Sequence, residues 1–180
     1  MDTLAYQNRK IDEIYERIIG AEYARECTVF HLSDHTKILH IGCGAYPLTE
    51  IILAQTTDLD IVGIDKDTNA VHHARNLLKK KNLDHRIVIT NGNGLDYALT
   101  GFDVIIVSSC SSPKIDVLNN IFSRVSPGTS IIVRELGSAL DSILNLIKKN
   151  PNLELCGRIH HFKLSVFGPI VWNSLHLKKK

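Results

Sequence analysis

The sequence predicts an α/β domain: a mostly parallel, seven-stranded sheet with helices on both faces and an antiparallel hairpin at its end. Three observations predict it. Short apolar runs alternate with stretches of helical periodicity from Lys37 to Lys149, and strands alternating with helices imply parallel pairing through right-handed crossovers. The first apolar run breaks into Gly42-Cys43-Gly44 before a helical pattern resumes. The last two runs, Leu153 to Leu164 and Val166 to Leu177, are joined only by a loop around Phe167-Gly168-Pro169. Without a helix between them they must pair antiparallel.

In order, Ile11, Ile14, Tyr15, Ile18 and Ile19 recur at helical spacing, with Asp12, Glu13, Glu16 and Arg17 opposite. Gly20 is expected to interrupt this helix, and Ala21 to Phe30 to form a second, short one. Ile38 to Ile41 is the first strand. Pro47 suits the first turn of the next helix, where its missing N–H costs nothing, and Leu48, Ile51, Ile52 and Leu53 continue that helix. Ile61 to Ile64 is a second strand ending at Asp65. The helix after it buries Ala70, Val71, Ala74, Leu77 and Leu78 and ends in Lys79-Lys80-Lys81, where positive charge suits the dipole. Arg86 to Thr90 and Asp103 to Ser109 are the third and fourth strands, the fourth apolar enough to be central. Pro113 to Val125 reads as a helix with Ile115, Leu118, Ile121, Phe122 and Val125 inward. Ser130 to Arg134 is the fifth strand, and Ala139 to Lys149 a helix.

A chain of 180 residues, 22% charged and 44% hydrophobic, reads as one globular domain, with 1–35 a short N-terminal helical segment. A net charge of +2 is too small to argue for nucleic acid, and Lys178-Lys179-Lys180 reads as a solvated tail. No apolar run approaches the roughly 20 residues that span a membrane, and Met1 to Lys10 lacks a signal-peptide core. The four cysteines (27, 43, 110, 156) have no CxxC spacing, so neither a disulfide framework nor a zinc site is expected. His72-His73 on a helix and His160-His161 on a strand cannot converge on one ion. The expectation is a cytoplasmic protein with no metal, acting on a small molecule; a homodimer is compatible with the sequence.

The candidate site follows the strand ends. Gly42 and Gly44 permit a tight turn, and the free N–H groups of the helix start favour an anion. Asp65, 23 residues after Gly42, can accept hydrogen bonds from both hydroxyls of a ribose, with Lys66 beside it. Gly92-Asn93 after the third strand can reach an adenine edge. Ser108 and Ser109 end the fourth strand at the same edge. Cys43 meets the turn's need for small residues. Arg134 can hold an acceptor carboxylate or make a surface ion pair. Pro47 stands at the third glycine position of GxGxxG, and GxxxxGK[ST] is absent. On these residues alone NAD and S-adenosylmethionine both remain open.

The order HIGCG, IVGID, TNGNG and FDVIIVSS resembles class I S-adenosylmethionine-dependent methyltransferases, a Rossmann-like fold, from Thr36 to the end. Within that group the chain is similar to the nicotianamine synthases: Gly42-Cys43-Gly44-Ala45-Tyr46-Pro47-Leu48-Thr49-Glu50-Ile51, Arg134 in IIVRE and Asn173-Ser174 in VWNSLHL carry the likeness. The resemblance implies S-adenosylmethionine as cofactor, held by Gly42, Cys43, Gly44, Asp65, Lys66, Gly92, Asn93 and Ser108, with Ser109 and Arg134 toward the acceptor. It implies transfer of the 3-amino-3-carboxypropyl group to an amine. That amine must be deprotonated to attack, and Glu22, Tyr23 and Tyr46 are the acid–base candidates. The chain departs from the family in one respect. The synthases carry a sizeable helical domain before the cofactor domain, and only about 35 residues precede the first strand here. Methyl transfer to a small molecule and a non-catalytic S-adenosylmethionine-binding module therefore stay as alternatives.

Overall fold

The computed structural model describes residues 16–165 and 168–180. Seven strands form one sheet: β1 (Lys37–Ile41), β2 (Asp60–Asp65), β3 (Ile87–Asn91), β4 (Val104–Val107), β5 (Ser130–Leu136), β6 (Leu153–Ser165) and β7 (Gly168–Lys179). Their spatial order is β3-β2-β1-β4-β5-β7-β6. The first five pair parallel. β7 inserts antiparallel between β5 and β6, so the hairpin leaves β6 at the edge. The chain is an α/β, Rossmann-like fold, as the alternation of elements predicts, with the antiparallel hairpin expected of the methyltransferase-like resemblance.

Helices α1 (Ala21–Val29), α2 (Leu48–Thr56) and α3 (Thr68–Lys80) cover one face; α4 (Lys114–Arg124) and α5 (Leu140–Lys148) cover the other. Each central strand serves both layers by alternation. Ile38 packs under α2 while Leu39 and Ile41 pack toward α4. α3 starts where the Asp67 side chain accepts from the Asn69 N–H (2.8 Å) and buries Val71, Ala74, Leu77 and Leu78. In α4, Val117, Leu118, Ile121 and Phe122 face inward, but Ile115 is exposed. It sits in the first turn, ahead of the stripe that meets the sheet.

The N-terminal reading changes most. Ile11, Ile14 and Tyr15 lie outside the described residues. Glu16–Gly20 is a π-helical turn that runs directly into α1, and Gly20 has helical torsions (φ −60°, ψ −37°). Gly20 therefore does not break the helix. A Cβ there would stand 2.9 Å from Ile52 Cδ1, so the glycine is what lets this segment pack closely on α2. Wedged beneath it, α2 is buried at six successive positions, Leu48 to Leu53, including Thr49 and Glu50. Among the described residues no helix is long and apolar enough to cross a membrane, and no cluster of three His, Cys, Asp or Glu could hold a metal ion.

Candidate functional site

From β1 the chain winds outward to β2 and β3; from β4 it winds the other way, to β5. The crevice where strand order reverses opens above the C-terminal ends of β1 and β4, the place where open α/β sheets bind ligands. The glycine turn enters it from β1. Gly42 (φ +84°) and Gly44 (φ +69°) both take the left-handed torsions that side chains disfavour. The N–H groups of Gly42 and Cys43 donate to the Ile64 carbonyl at 2.8 and 3.0 Å, fixing the turn on β2. A Cβ at Gly42 would come within 2.7 Å of Ser111 Oγ.

Asp65 sits where the spacing predicts, at the end of β2. Its Oδ2 accepts from the Gly44 N–H (2.9 Å) and its Oδ1 from the Asp67 N–H (3.0 Å). A carboxylate has about four lone-pair sites, so each oxygen keeps capacity toward the cleft that Asp65 lines. The Lys66 ammonium crosses the rim to the Ser112 carbonyl (2.9 Å). Asn91 was missed by sequence reasoning; its side-chain amide holds the carbonyls of Asp65 and Lys66 at 3.0 and 3.1 Å. Gly92 and Asn93 border the same depression, although the Asn93 side-chain oxygen accepts from Leu95 N–H in a turn.

Two depressions share Gly42, Asp65 and Cys110. One holds Lys66, Gly92, Asn93 and the loop after β4. The other is a cleft of about 280 Å³ bordered by Gly44, Ser108, Ser109, Arg134, Tyr23 and Trp172. Tyr23 is thus on the cleft. The other two acid–base candidates are held elsewhere. The Tyr46 ring is buried (2% exposed), and its hydroxyl donates to Glu16 (2.7 Å), which also pairs with Lys81 (2.6 Å). That phenol braces the N-terminal turn and does not face the cleft. Glu22 is gripped by His161 and Lys163 at 2.8 Å and by Arg25 at 3.3 Å. Burial alone would raise its carboxyl, but the hydrogen bonds from Lys163 and His161 outweigh that and lower it to about 2. A carboxylate so stabilised is a weak base, and it ties α1 to the hairpin.

Arg134 borders the cleft but is not a surface ion pair. It is 3% exposed, and its Nε and Nη2 clasp the Glu26 carboxylate, the shorter contact at 2.6 Å. Nη1 donates to Thr49 (2.6 Å), and the guanidinium lies 3.8 Å over the Tyr23 ring. Burial opposes its charge, yet Glu26 beside it raises its pKa further. The arginine holds Tyr23 in place and has little left for a carboxylate. Glu26 gave no sequence signal beyond being an acid on a helix. Asn173 and Ser174 tie the hairpin together: Asn173 Oδ1 accepts from Arg158, and Ser174 bonds His161 at 3.0 Å.

Beneath the glycine turn, one more chain of polar groups runs from α2 through the sheet to the cleft. Glu50 Oε1 is 2.7 Å from His40 Nδ1, and His40 Nε2 is 3.2 Å from Ser108 Oγ. Sequence reasoning missed His40 and Glu50. The signals were present: a histidine inside an apolar central strand and an acid inside an apolar helix.

The sequence pattern described as "Nicotianamine synthase protein" matches residues 12–179. Among solved structures, MtNAS in complex with MTA and tNA superposes with a TM-score of 0.69 at 18% identity, covering 99% of this chain and 68% of that one. A mutant of MtNAS in complex with S-adenosylmethionine gives 0.68 at 18% identity, with 99% and 70% covered. A curated relative, sterol 24-C-methyltransferase of Candida albicans, is 27% identical over 129 residues, which is 63% of this chain and 34% of that protein. The chain thus spans about a third of the length of that relative.

Proposed function

Since the chain belongs to the nicotianamine synthase family, we propose that it binds S-adenosylmethionine at the switch point and passes the 3-amino-3-carboxypropyl group to an amine of a small amino-acid-like acceptor. The observation that carries the cofactor assignment is Asp65: its carboxylate pins the glycine turn and still borders the cleft. The lining fits the cofactor, because the glycines of the turn, Gly42 and Gly44, present backbone to the cleft beside Asp65. The bound sulfonium supplies electrophilic carbons, and which carbon meets the nucleophile decides the group transferred.

In this reading residues 1–180 form one cofactor-binding domain. Gly42, Cys43 and Gly44 leave room for the cofactor, Asp65 accepts from the ribose hydroxyls, and Lys66, Gly92 and Asn93 border the adenine side. Ser108 and Ser109 face the methionine side. Tyr23, held by Arg134 and edge-on to Trp172 (6.4 Å), forms the acceptor wall. Glu22, fixed as an anion, anchors that wall from behind.

Methyl transfer is the second reading, favoured by the match to a sterol methyltransferase. One experiment separates them. The protein is incubated with S-adenosylmethionine and a pool of the protein amino acids, and the nucleoside product is read by mass spectrometry. Methylthioadenosine is the expected product; S-adenosylhomocysteine sinks carboxypropyl transfer in favour of methyl transfer, and binding by calorimetry without either product leaves a non-catalytic module.

A further inference from the structure

We infer that Glu50, His40 and Ser108 form a proton relay that accepts the proton released by the attacking amine; the inference rests on the transferase reading above. The three groups form a continuous chain through the two ring nitrogens of His40, with contacts of 2.7 Å and 3.2 Å. An ionised carboxylate can only accept, so Nδ1–H donates to Glu50, leaving the lone pair of Nε2 for the Ser108 hydroxyl. His40 and Glu50 are sealed, with side chains 3% and 0% exposed, while Ser108 borders the cleft. Ser108 is therefore the outlet of the chain.

Packing does not account for these residues. A carboxylate and an imidazole in the interior carry a desolvation penalty that apolar residues of the same size would not. Glu50 Oε2 is buried with no hydrogen-bond partner. The fit extends to β2: a Cβ at Gly63 would collide with Glu50 Oε1 and stand 2.7 Å from Ile89 Cδ1, so a glycine occupies a strand interior, where it is unfavourable. Positions 40 and 50 thus hold one carboxylate behind one imidazole in an otherwise apolar layer, and Gly63 leaves room beside them.

The step balances. The acceptor ammonium gives a proton to Ser108 Oγ as the Ser108 proton passes to His40 Nε2, and Glu50 stabilises the imidazolium. The freed nitrogen pair forms the N–C bond, and the C–S pair remains on sulfur as a neutral thioether. After product leaves, the proton returns through Ser108 to water. Ser108 is the catalytic residue of the relay; His40 and Glu50 act through it.

Glu50→Gln tests this, being isosteric and remote from the cleft. S-adenosylmethionine affinity by calorimetry should stay within twofold while kcat for the nucleoside product falls by about 10²-fold or more, with KM unchanged. Ser108→Ala should lose a similar factor in kcat and abolish the solvent deuterium isotope effect. Long-range ¹H–¹⁵N spectra, with His40 assigned by His40→Asn, should show the proton on Nδ1 and its signal displaced in Glu50→Gln; this measurement decides the matter where no acceptor in the pool is turned over. A proton on Nε2, or parental kcat in folded Glu50→Gln, overturns the relay and leaves cofactor binding intact. Absence of S-adenosylmethionine binding to the parental protein instead removes the underlying reading, and the relay with it.

Discussion

Replacing Asp65 with alanine perturbs two things that the structure allows to be weighed apart. The side chain accepts from Gly44 N–H at 2.9 Å and from Asp67 N–H at 3.0 Å. Hydrogen bonds to a charged group contribute roughly 1.5–3 kcal/mol each, but Asp65 is half-buried and water can replace part of the loss. Folding stability should therefore fall by about 2 kcal/mol in all, a Tm decrease of roughly 4–8 °C for a domain of this size. Sequence reasoning alone expects almost none, since a strand-end carboxylate supports little core; the hydrogen bonds to the turn change that. Loss of the ribose contacts adds about 1.5–3 kcal/mol to the binding free energy, or roughly 10- to 150-fold in Kd. Thermal melts followed by calorimetry with S-adenosylmethionine below the mutant's transition give both numbers. A folded Asp65→Ala protein with parental affinity would refute the assignment of the ribose to this residue. An unchanged Tm would refute its role in holding the turn.

Glu26→Ala should leave the Arg134 guanidinium buried without its carboxylate and cost about 3–5 kcal/mol; a chemical denaturation curve reads this, and Glu26→Ala with Arg134→Met should recover much of the loss. Glu22 has its carboxyl lowered from 4.5 to about 2 in the folded protein, so its stabilisation is fully present above pH 4.5 and is lost as pH falls toward 2. Acid titration of Glu22→Gln should accordingly show a flatter decline in stability over that window than the parental protein; parallel curves count against the clamp on the hairpin. Burial pushes the Cys27 thiol up to about 12 and Cys43 is also buried, whereas Cys110 and Cys156 are exposed. A thiol reagent applied to native protein should modify Cys110 and Cys156 rapidly and the other two only on unfolding, as peptide mass mapping would show.

By itself the sequence determined what depends on neighbours along the chain. The alternation of apolar runs with helical periodicity specified the layers, and the absence of a helix before residue 168 specified the closing hairpin. Gly42 and Gly44 marked the turn because their torsions are a local requirement, and Asp65 was placed by spacing because a strand, a turn and a helix have predictable lengths. Tertiary structure decided what depends on which elements become neighbours. Gly20 looks like a break when its own segment is considered; its reason is Ile52, on another helix. Glu22 and Tyr23 are adjacent in sequence, yet a helix turns about 100° per residue, so one meets His161 and Lys163 while the other faces the cleft. Arg134 and Glu26 are separated by 108 positions, and His40 and Ser108 by 68. Such pairs meet because the order of the strands sets β1 beside β4 and brings α1 across the end of β5. Propensity and periodicity carry no record of that order, and a buried charge acquires its role only from the partner that the fold brings to it.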